Sequence, residues 1–272
     1  MRRRRTLGSA VRLEGRGLHT GECVAVSILP STSTEGIHFR FGERMYRVSE
    51  ARRMDVHRNT TIVFPGGERL STVEHLMAAL AGMEVHDAVV EVSGSELPAL
   101  DGSAYDYAEH FLGVGIVEKN ELYTAPFLAA PICIESGRAM LAALPSDVLR
   151  LTYVIDYPGT AIGTEMKEAA ITPEIFRKEI APARTFALLS EVEALFESGL
   201  ARGGGLENTI VVGEDRLLNE NGYRVDHECA AHKVLDLLGD LALTGDILRA
   251  HYVCIRGGHK LHATFAARLA LF

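Results

Sequence analysis

Apolar residues along this chain follow two different rhythms. From residue 7 to 48 they come in short runs broken by glycine: VRLEGRGLHTGECVAVSILP, then IHFRF and YRV. Short apolar runs bounded by turn residues predict strands. STVEHLMAALAG, 71–82, predicts a helix instead. Ser71 or Thr72 is placed to cap it, Glu74 follows Ser71 by three as in a capping box, and Gly82 can close it. AVVEVSG predicts a further strand. SELPALDGSAYDYAEHFLGVGI predicts a turn-rich loop running into a helix.

GIVEKNELYTAP, 115–126, is polar and ends in proline, which suits a domain boundary. After it the order begins again. FLAAPICIES, AMLAALP and LRLTYVIDYP predict strands, and ITPEIFRKEI a short helix opened by Thr172 with Pro173 at its first position. SEVEALFESGL predicts a second helix, followed by the glycine run Gly203–Gly205 and the strand TIVVG. HECAAHKVLDLLGDLAL predicts a long helix, AHYVCIRGG a strand, and LHATFAARLAL a last helix.

The two main helices share a spacing. EHLMAALAG has His75, Leu80 and Gly82; AHKVLDLLG has His232, Leu237 and Gly239. In both, leucine follows histidine by five and glycine by seven. With the repeated order of strands and helices, this predicts an α+β protein of two similar domains, each a sheet covered on one face by helices. The expected division is 1–118 and 126–272, joined by 119–125.

Composition narrows the class. At 272 residues and 47% apolar content, the chain can build a substantial core. No run of 18 apolar residues is present, so no membrane-spanning helix is expected. MRRRRTLGSAVRLEG has a basic cluster without an apolar stretch after it, unlike a secretory signal. The net charge of −8 and the lack of another basic block argue against a nucleic-acid partner. The cluster is expected to lead into a first strand. Cys23, Cys133, Cys229 and Cys254 stand singly, which suits buried thiols in a reducing compartment rather than a thiolate metal cluster.

His232, Asp236 and Asp240 are each four residues apart, so they form one stripe along their helix, opposite Val234, Leu235, Leu237, Leu238 and Leu241. A solvated face is the ordinary reading of such a stripe. Metal ligation is the sharper one, because His and Asp at i,i+4 can reach one cation. A catalytic zinc takes three protein ligands and an open position. If the halves face each other across a pseudo-twofold axis, His75 completes a His75, His232 and Asp236 set. These donors suit Zn²⁺, and Fe²⁺ is compatible with them. Glu74 points away from His75 and is either part of the capping box or a general base beside the metal. His259 follows two glycines at a strand end, as an exposed loop histidine or as a proton donor that Asp240 orients and charges. Thr185 in ARTF and Lys233 can stabilise an oxyanion, and Arg256, Lys233 and Arg184 can form a positive patch. GLARGGGLENTIVV is either a flexible loop or a passage for an apolar group along the backbone.

RTL at 5–7, GLHTG at 17–21, STVEHLMAALAG, PALDGSA at 98–104, ARTF at 183–186, HKVLDLLGDL at 232–241 and GGHKLH at 257–262 occur in this order. Together they resemble the UDP-3-O-acyl-N-acetylglucosamine deacetylases, zinc amidases of lipid A synthesis. The match spans nearly the whole chain, and the pairing of STVEHLMAALAG with HKVLDLLGDL is its most specific part. The resemblance implies a duplicated β-α-α-β fold with the active site at the domain interface. It implies zinc on His75, His232 and Asp236, Glu74 as base, His259 as acid with Asp240 as partner, and Thr185 and Lys233 at the oxyanion and substrate. It also implies an acyl passage by Phe186, Val192, Ala201, Gly204, Gly205 and Val211, with Tyr157 and Arg256 at uracil and diphosphate. His262 stands where the family often has Asn, and Gly205 where some members carry Ser. A UDP-linked acylated amino sugar is the implied partner, and the enzyme is expected to be monomeric and cytoplasmic. Two other readings remain open: a metal-dependent amidase or peptidase with another substrate, and a non-catalytic protein whose halves are clipped by a metal.

Overall fold

The computed structural model describes residues 2–54 and 59–269. The first half contains β1 (Arg2–Leu7), β2 (Val11–Arg16), β3 (Cys23–Pro30), β4 (Ile37–Phe41) and β5 (Arg44–Arg47). β6 (Arg52–Met54), β7 (Thr61–Val63) and β8 (Arg69–Ser71) follow, then α1 (Glu74–Gly82), β9 (Ala88–Val92), α2 (Tyr105–Val114) and β10 (Ile116–Tyr123). The second half contains β11 (Ile132–Ser136), β12 (Ala139–Pro145), β13 (Arg150–Tyr157) and β14 (Gly163–Ala170). After these come α3 (Pro173–Ile175), running into a π-helical turn at Phe176–Ile180, then β15 (Phe186–Leu188), α4 (Leu189–Glu197) and β16 (Ile210–Val212). The chain closes with α5 (Glu228–Ala242), β17 (Ala250–Ile255) and α6 (His259–Leu269).

The duplication is visible in the strand order. One five-stranded sheet runs β2-β3-β9-β4-β5 and the other β11-β12-β17-β13-β14. In each, the last strand enters the middle and pairs parallel with the first strand of the hairpin that precedes the helical excursion: β9 with β4 of the β4–β5 hairpin, and β17 with β13 of the β13–β14 hairpin. A parallel pair needs a long crossover, and that crossover carries α1 in one half and α5 in the other. Both sheets are two-faced. Val24, Val26 and Ile28 of β3, and Ala250, Tyr252 and Cys254 of β17, are buried on alternate positions, as one solvated face requires. α5 packs on β13 and β14 of its own sheet and on α1 of the other half.

That packing is close. A Cβ on Gly239 would lie 2.0 Å from the Glu74 carbonyl oxygen, and one on Gly82 would lie 2.2 Å from the Phe176 ring. The repeated glycines are therefore contact points of the helix layer. Every residue of α1 except Ala81, and every residue of α5 except Lys233, is buried. Expecting a solvated face on α5 fails for this reason: the helix is enclosed on both sides.

The structure departs from the sequence-based elements in several places. The basic cluster is itself β1, antiparallel to β10. Arg4 donates to buried Asp87 at 2.9 and 2.5 Å, Lys119 reaches the same carboxylate at 3.1 Å, and Arg2 and Arg5 pair with Glu84. Much of the cluster's charge is thus matched within the chain. The polar segment expected as a connection is strand as far as Tyr123. β14 was not anticipated, because GTEMKEAA is poor in strand formers and lies at a sheet edge with alternate residues facing water. The capping box is also overturned. Ser71 belongs to β8, Thr72 adopts a left-handed φ of 56°, and α1 begins at Glu74 without a side-chain cap. Arg184 faces away from any substrate patch and is buried against Glu228, with Nε–Oε1 at 2.8 Å. Among the described residues, no helix is long and apolar enough to cross a membrane.

Candidate active site

The first turn of α1 and the middle of α5 converge. His75 and His232 meet edge to face, with ring centroids 5.0 Å apart. His75 Nε2 lies 3.9 Å and His232 Nε2 3.4 Å from Asp236 Oδ1. That oxygen is buried and has no hydrogen-bond partner, an expensive state for a carboxylate oxygen unless a cation completes it. His232 Nδ1 donates to the Ala183 carbonyl at 2.9 Å, which leaves the Nε2 lone pair aimed at the same point. Asp236 Oδ2 accepts from Lys233 Nζ at 2.8 Å. The donors of the set lie within 4.8 Å of one another, and two imidazoles with one carboxylate suit a single divalent ion.

The protonation states agree with this role. Burial, reinforced by the neighbouring His232, brings His75 down to about 3. Burial also lowers His232. Burial by itself would raise Asp236, but Lys233 and the surrounding imidazoles outweigh it and hold the carboxyl well below its ordinary value. Neutral imidazoles and an ionised carboxylate are the forms that ligate a metal.

Glu74 and His259 flank this set. Both Glu74 carboxylate oxygens accept from the Thr60 N–H at 3.2 Å. His259 Nε2 lies 3.9 Å from Glu74 Oε1 and 3.7 Å from Asp236 Oδ2. His259 is the first residue of α6 rather than a loop residue, so its backbone is fixed by the helix. Its Nδ1 donates to Asp240 Oδ2 at 2.8 Å. Burial pushes Glu74 up to about 8; Asp236 and Asp240 add to this and His259 opposes it. For His259 burial works against the charged form, but Asp240 and Asp236 prevail and raise it to about 9. His232, Asp236 and Asp240 are only 2%, 2% and 1% exposed, so the stripe on α5 is an internal feature.

One cleft joins these groups to the surface. Thr185, Phe186, Lys233 and Tyr157 line it, and Lys233 Nζ sits 5.6 Å from the Phe186 ring centroid. The Thr185 backbone is held between the Gly102 carbonyl and the Ile210 amide, both at 2.8 Å. Arg256 stands apart, paired with Asp156. Val192 on α4, Ala201, Gly204 and Gly205 in the loop after it, and Val211 on β16 belong to the unit beside the cleft, and line no part of it next to the metal donors. The glycine-rich loop is pinned to the first half: Arg202 N donates to His19 O at 3.3 Å and Gly203 N to Leu18 O at 3.0 Å.

Sequence reasoning gave no site role to Leu18, His19, Leu188 and Glu191, and gave Thr72 only a helix-capping one; all five also line the cleft. It gave none to Thr60, whose hydroxyl donates to Asp240 Oδ1 at 2.5 Å. Glu96 was likewise passed over. It is buried and accepts from the His19 and Thr20 amides at 2.9 Å and from the Thr72 hydroxyl at 2.9 Å, fixing the GLHTG loop at the cleft wall. A carboxylate in a turn-rich loop carries no periodic signal that would have marked it.

The family model described as UDP-3-O-acyl N-acetylglycosamine deacetylase (LpxC) matches residues 4–271. A UDP-3-O-acyl-N-acetylglucosamine deacetylase from Oleidesulfovibrio alaskensis is 36% identical over 96% of this chain and 86% of its own length. The protein of that name from Trichormus variabilis is 39% identical, covering 97% of both chains. The one from Chlamydia caviae is 36% identical over 98% of this chain and 97% of its own. With the duplicated sheets and the buried donor set at their interface, these matches establish that the chain belongs to the UDP-3-O-acyl N-acetylglycosamine deacetylase family of metal-dependent hydrolases.

Proposed function

We propose that this protein is a monomeric zinc-dependent deacetylase that removes the N-acetyl group of a UDP-linked, 3-O-acylated N-acetylglucosamine and releases acetate, with Fe²⁺ as an alternative metal. The observation that carries the reading is the orphaned Asp236 Oδ1 between His75 and His232, in a cleft that also holds Glu74 and His259. His75, His232 and Asp236 would hold the ion. When bound, a divalent cation polarises an amide carbonyl, makes water acidic and draws Glu74 back toward its carboxylate form.

The chain's own residues supply the rest. Glu74, anchored by the Thr60 amide, takes a proton from the attacking water. His259 gives a proton from Nε2 to the departing sugar nitrogen, while Asp240 holds Nδ1 and keeps the ring charged until transfer. Thr185 and Lys233, which line the cleft, are assigned to the negative charge that develops on the former carbonyl oxygen. Tyr157 and Phe186 contact each other edge to face at 5.7 Å and offer an apolar wall. Arg256, at the end of the strand before His259, is assigned to the diphosphate. Val192, Ala201, Gly204, Gly205 and Val211 are assigned to the acyl chain. The division into two domains near 119–125 belongs to the same reading; the matching strand orders support two halves, while β10 keeps residues up to Tyr123 paired with β1 of the first.

A metal that only clips the halves together is usually enclosed by four protein ligands. The three donors here open onto a cleft beside a carboxylate and an imidazole, which favours catalysis. The test is acetate release from UDP-3-O-acyl-N-acetylglucosamine, with and without a chelator. The reading predicts release that stops on chelation and returns with zinc. Release that is indifferent to the 3-O-acyl group would move the protein to a different amidase class.

A further inference from the structure

Asp240 serves more than His259. Its Oδ2 also accepts from His262 Nδ1 at 2.7 Å, closer than the 2.8 Å to His259. His262 lies one turn into α6 and is completely buried. Its other ring nitrogen, Nε2, lies 3.1 Å from the Tyr153 hydroxyl on β13. The two rings stand at 78° to each other with centroids 5.9 Å apart, so they approach one oxygen from different directions.

Hydrogen-bond chemistry sets the order of protons along this chain. A carboxylate only accepts, so His262 Nδ1 carries the hydrogen. Burial keeps His262 below its ordinary value, which favours the neutral ring. A neutral ring has a lone pair on Nε2; the Tyr153 O–H at 3.1 Å is the nearer donor to it, with the Cys254 thiol at 3.9 Å beside it. Thr60 closes the remaining side by donating to Oδ1 at 2.5 Å. The Asp240 carboxylate is thereby fixed in rotation by donors from α6 and from the segment before β7. A fixed carboxylate fixes His259 with Nδ1–H inward and Nε2 toward the cleft.

We infer that His262, backed by Tyr153, is a positioning residue for the reaction: it locks the Asp240 carboxylate so that the His259 imidazole presents Nε2 to the departing group. This rests on the deacetylase reading above and deepens it. Loss of His262 would leave a buried vacancy beside Oδ2, let the carboxylate turn, and loosen the donor ring without touching the metal ligands. Removing such an outer hydrogen bond costs roughly 10–100-fold in activity in comparable metal sites.

The experiment compares wild type with His262→Ala, His262→Asn and Tyr153→Phe, reading zinc content, kcat and KM for acetate release. Ring tautomers are read by NMR of ¹⁵N-histidine-labelled zinc-loaded wild type. The Asn amide can stand at the Nδ1 position and donate to the same oxygen. The expected result is kcat lowered about tenfold or more in His262→Ala at unchanged zinc content and KM. His262→Asn should return most of that kcat, and Tyr153→Phe should show a smaller loss. The His262 ring of wild type should be protonated on Nδ1. Wild-type kcat in His262→Ala, equal losses in the Ala and Asn variants, or a His262 ring protonated on Nε2 would each overturn the inference. If His262→Ala does not fold, the Asn variant and the wild-type tautomer decide it. Absence of acetate release by wild type would count against the proposed function, while the tautomer still judges the hydrogen-bond chain.

Discussion

α1 and α5 occupy equivalent places in the two repeats, each inside the crossover that returns a strand to the middle of its sheet. Both are almost wholly buried, both carry a histidine, and both use a glycine at a close contact. Their polar content differs. α1 brings Glu74 and His75 in its first turn and is otherwise apolar or glycine. α5 carries His232, Asp236 and Asp240 along one stripe, with Lys233 beside it. A duplicated scaffold supplies the meeting of two helices. Divergence of one helix supplies the charges that make the meeting chemical. The polar stripe is tolerated in the interior because most of its atoms have partners: Ala183 carbonyl for His232, Lys233 for Asp236, Thr60, His259 and His262 for Asp240.

The largest test of this asymmetry is to remove the shared donor. Asp236→Ala should abolish zinc retention and lower acetate release by more than the roughly 100-fold that loss of an outer hydrogen bond costs. Metal analysis after gel filtration checks it; full zinc content in this variant would remove Asp236 from the donor set. On the α1 side, Glu74→Gln should lower kcat by roughly 10²–10⁴-fold with zinc still bound. Near-normal turnover would transfer the base role to another group. The scaffold itself is probed next. Gly239→Ala drives a methyl into the Glu74 backbone and should cost about 1–3 kcal/mol of stability. Gly82→Ala meets the buried Phe176 side chain rather than backbone and should cost less; thermal unfolding of the pair ranks them.

The smallest effect is in pH dependence. Asp240 raises His259, and a proton donor must be protonated, so acetate release should decline on the alkaline side of its pH profile. Asp240→Asn removes a carboxylate that raises it and should move that decline to lower pH. The same shift has a stability counterpart in the metal-free protein. A group raised from 6.5 to about 9 stabilises the fold fully below about 6.5, and the contribution is lost as pH climbs through 9. Unfolding midpoints measured across that window would show whether His259 is truly raised.

The elements that were legible in the sequence are those with a strong local pattern. α5 is an example, because the four-residue spacing of His232, Asp236 and Asp240 is set by backbone geometry alone. The paired glycines of the two helices also pointed correctly to a repeat. β14 was not legible, since an edge strand with a charged outer face needs neither apolar alternation nor branched residues. Glu74 was ambiguous for a different reason: three-residue spacing from Ser71 fits a capping box, and only the capture of Ser71 by β8 excludes it.

Sequence by itself determined which side chains share a helix face, where strands alternate, and that this chain carries the family's paired helices, because these depend on residues close together along the chain. Tertiary structure decided that His75 meets His232 and Asp236, that Arg184 turns to Glu228, and that Thr60 and His262 share Asp240. Those contacts join segments far apart in the chain, and only the packing of two sheets around α1 and α5 brings them within bonding distance.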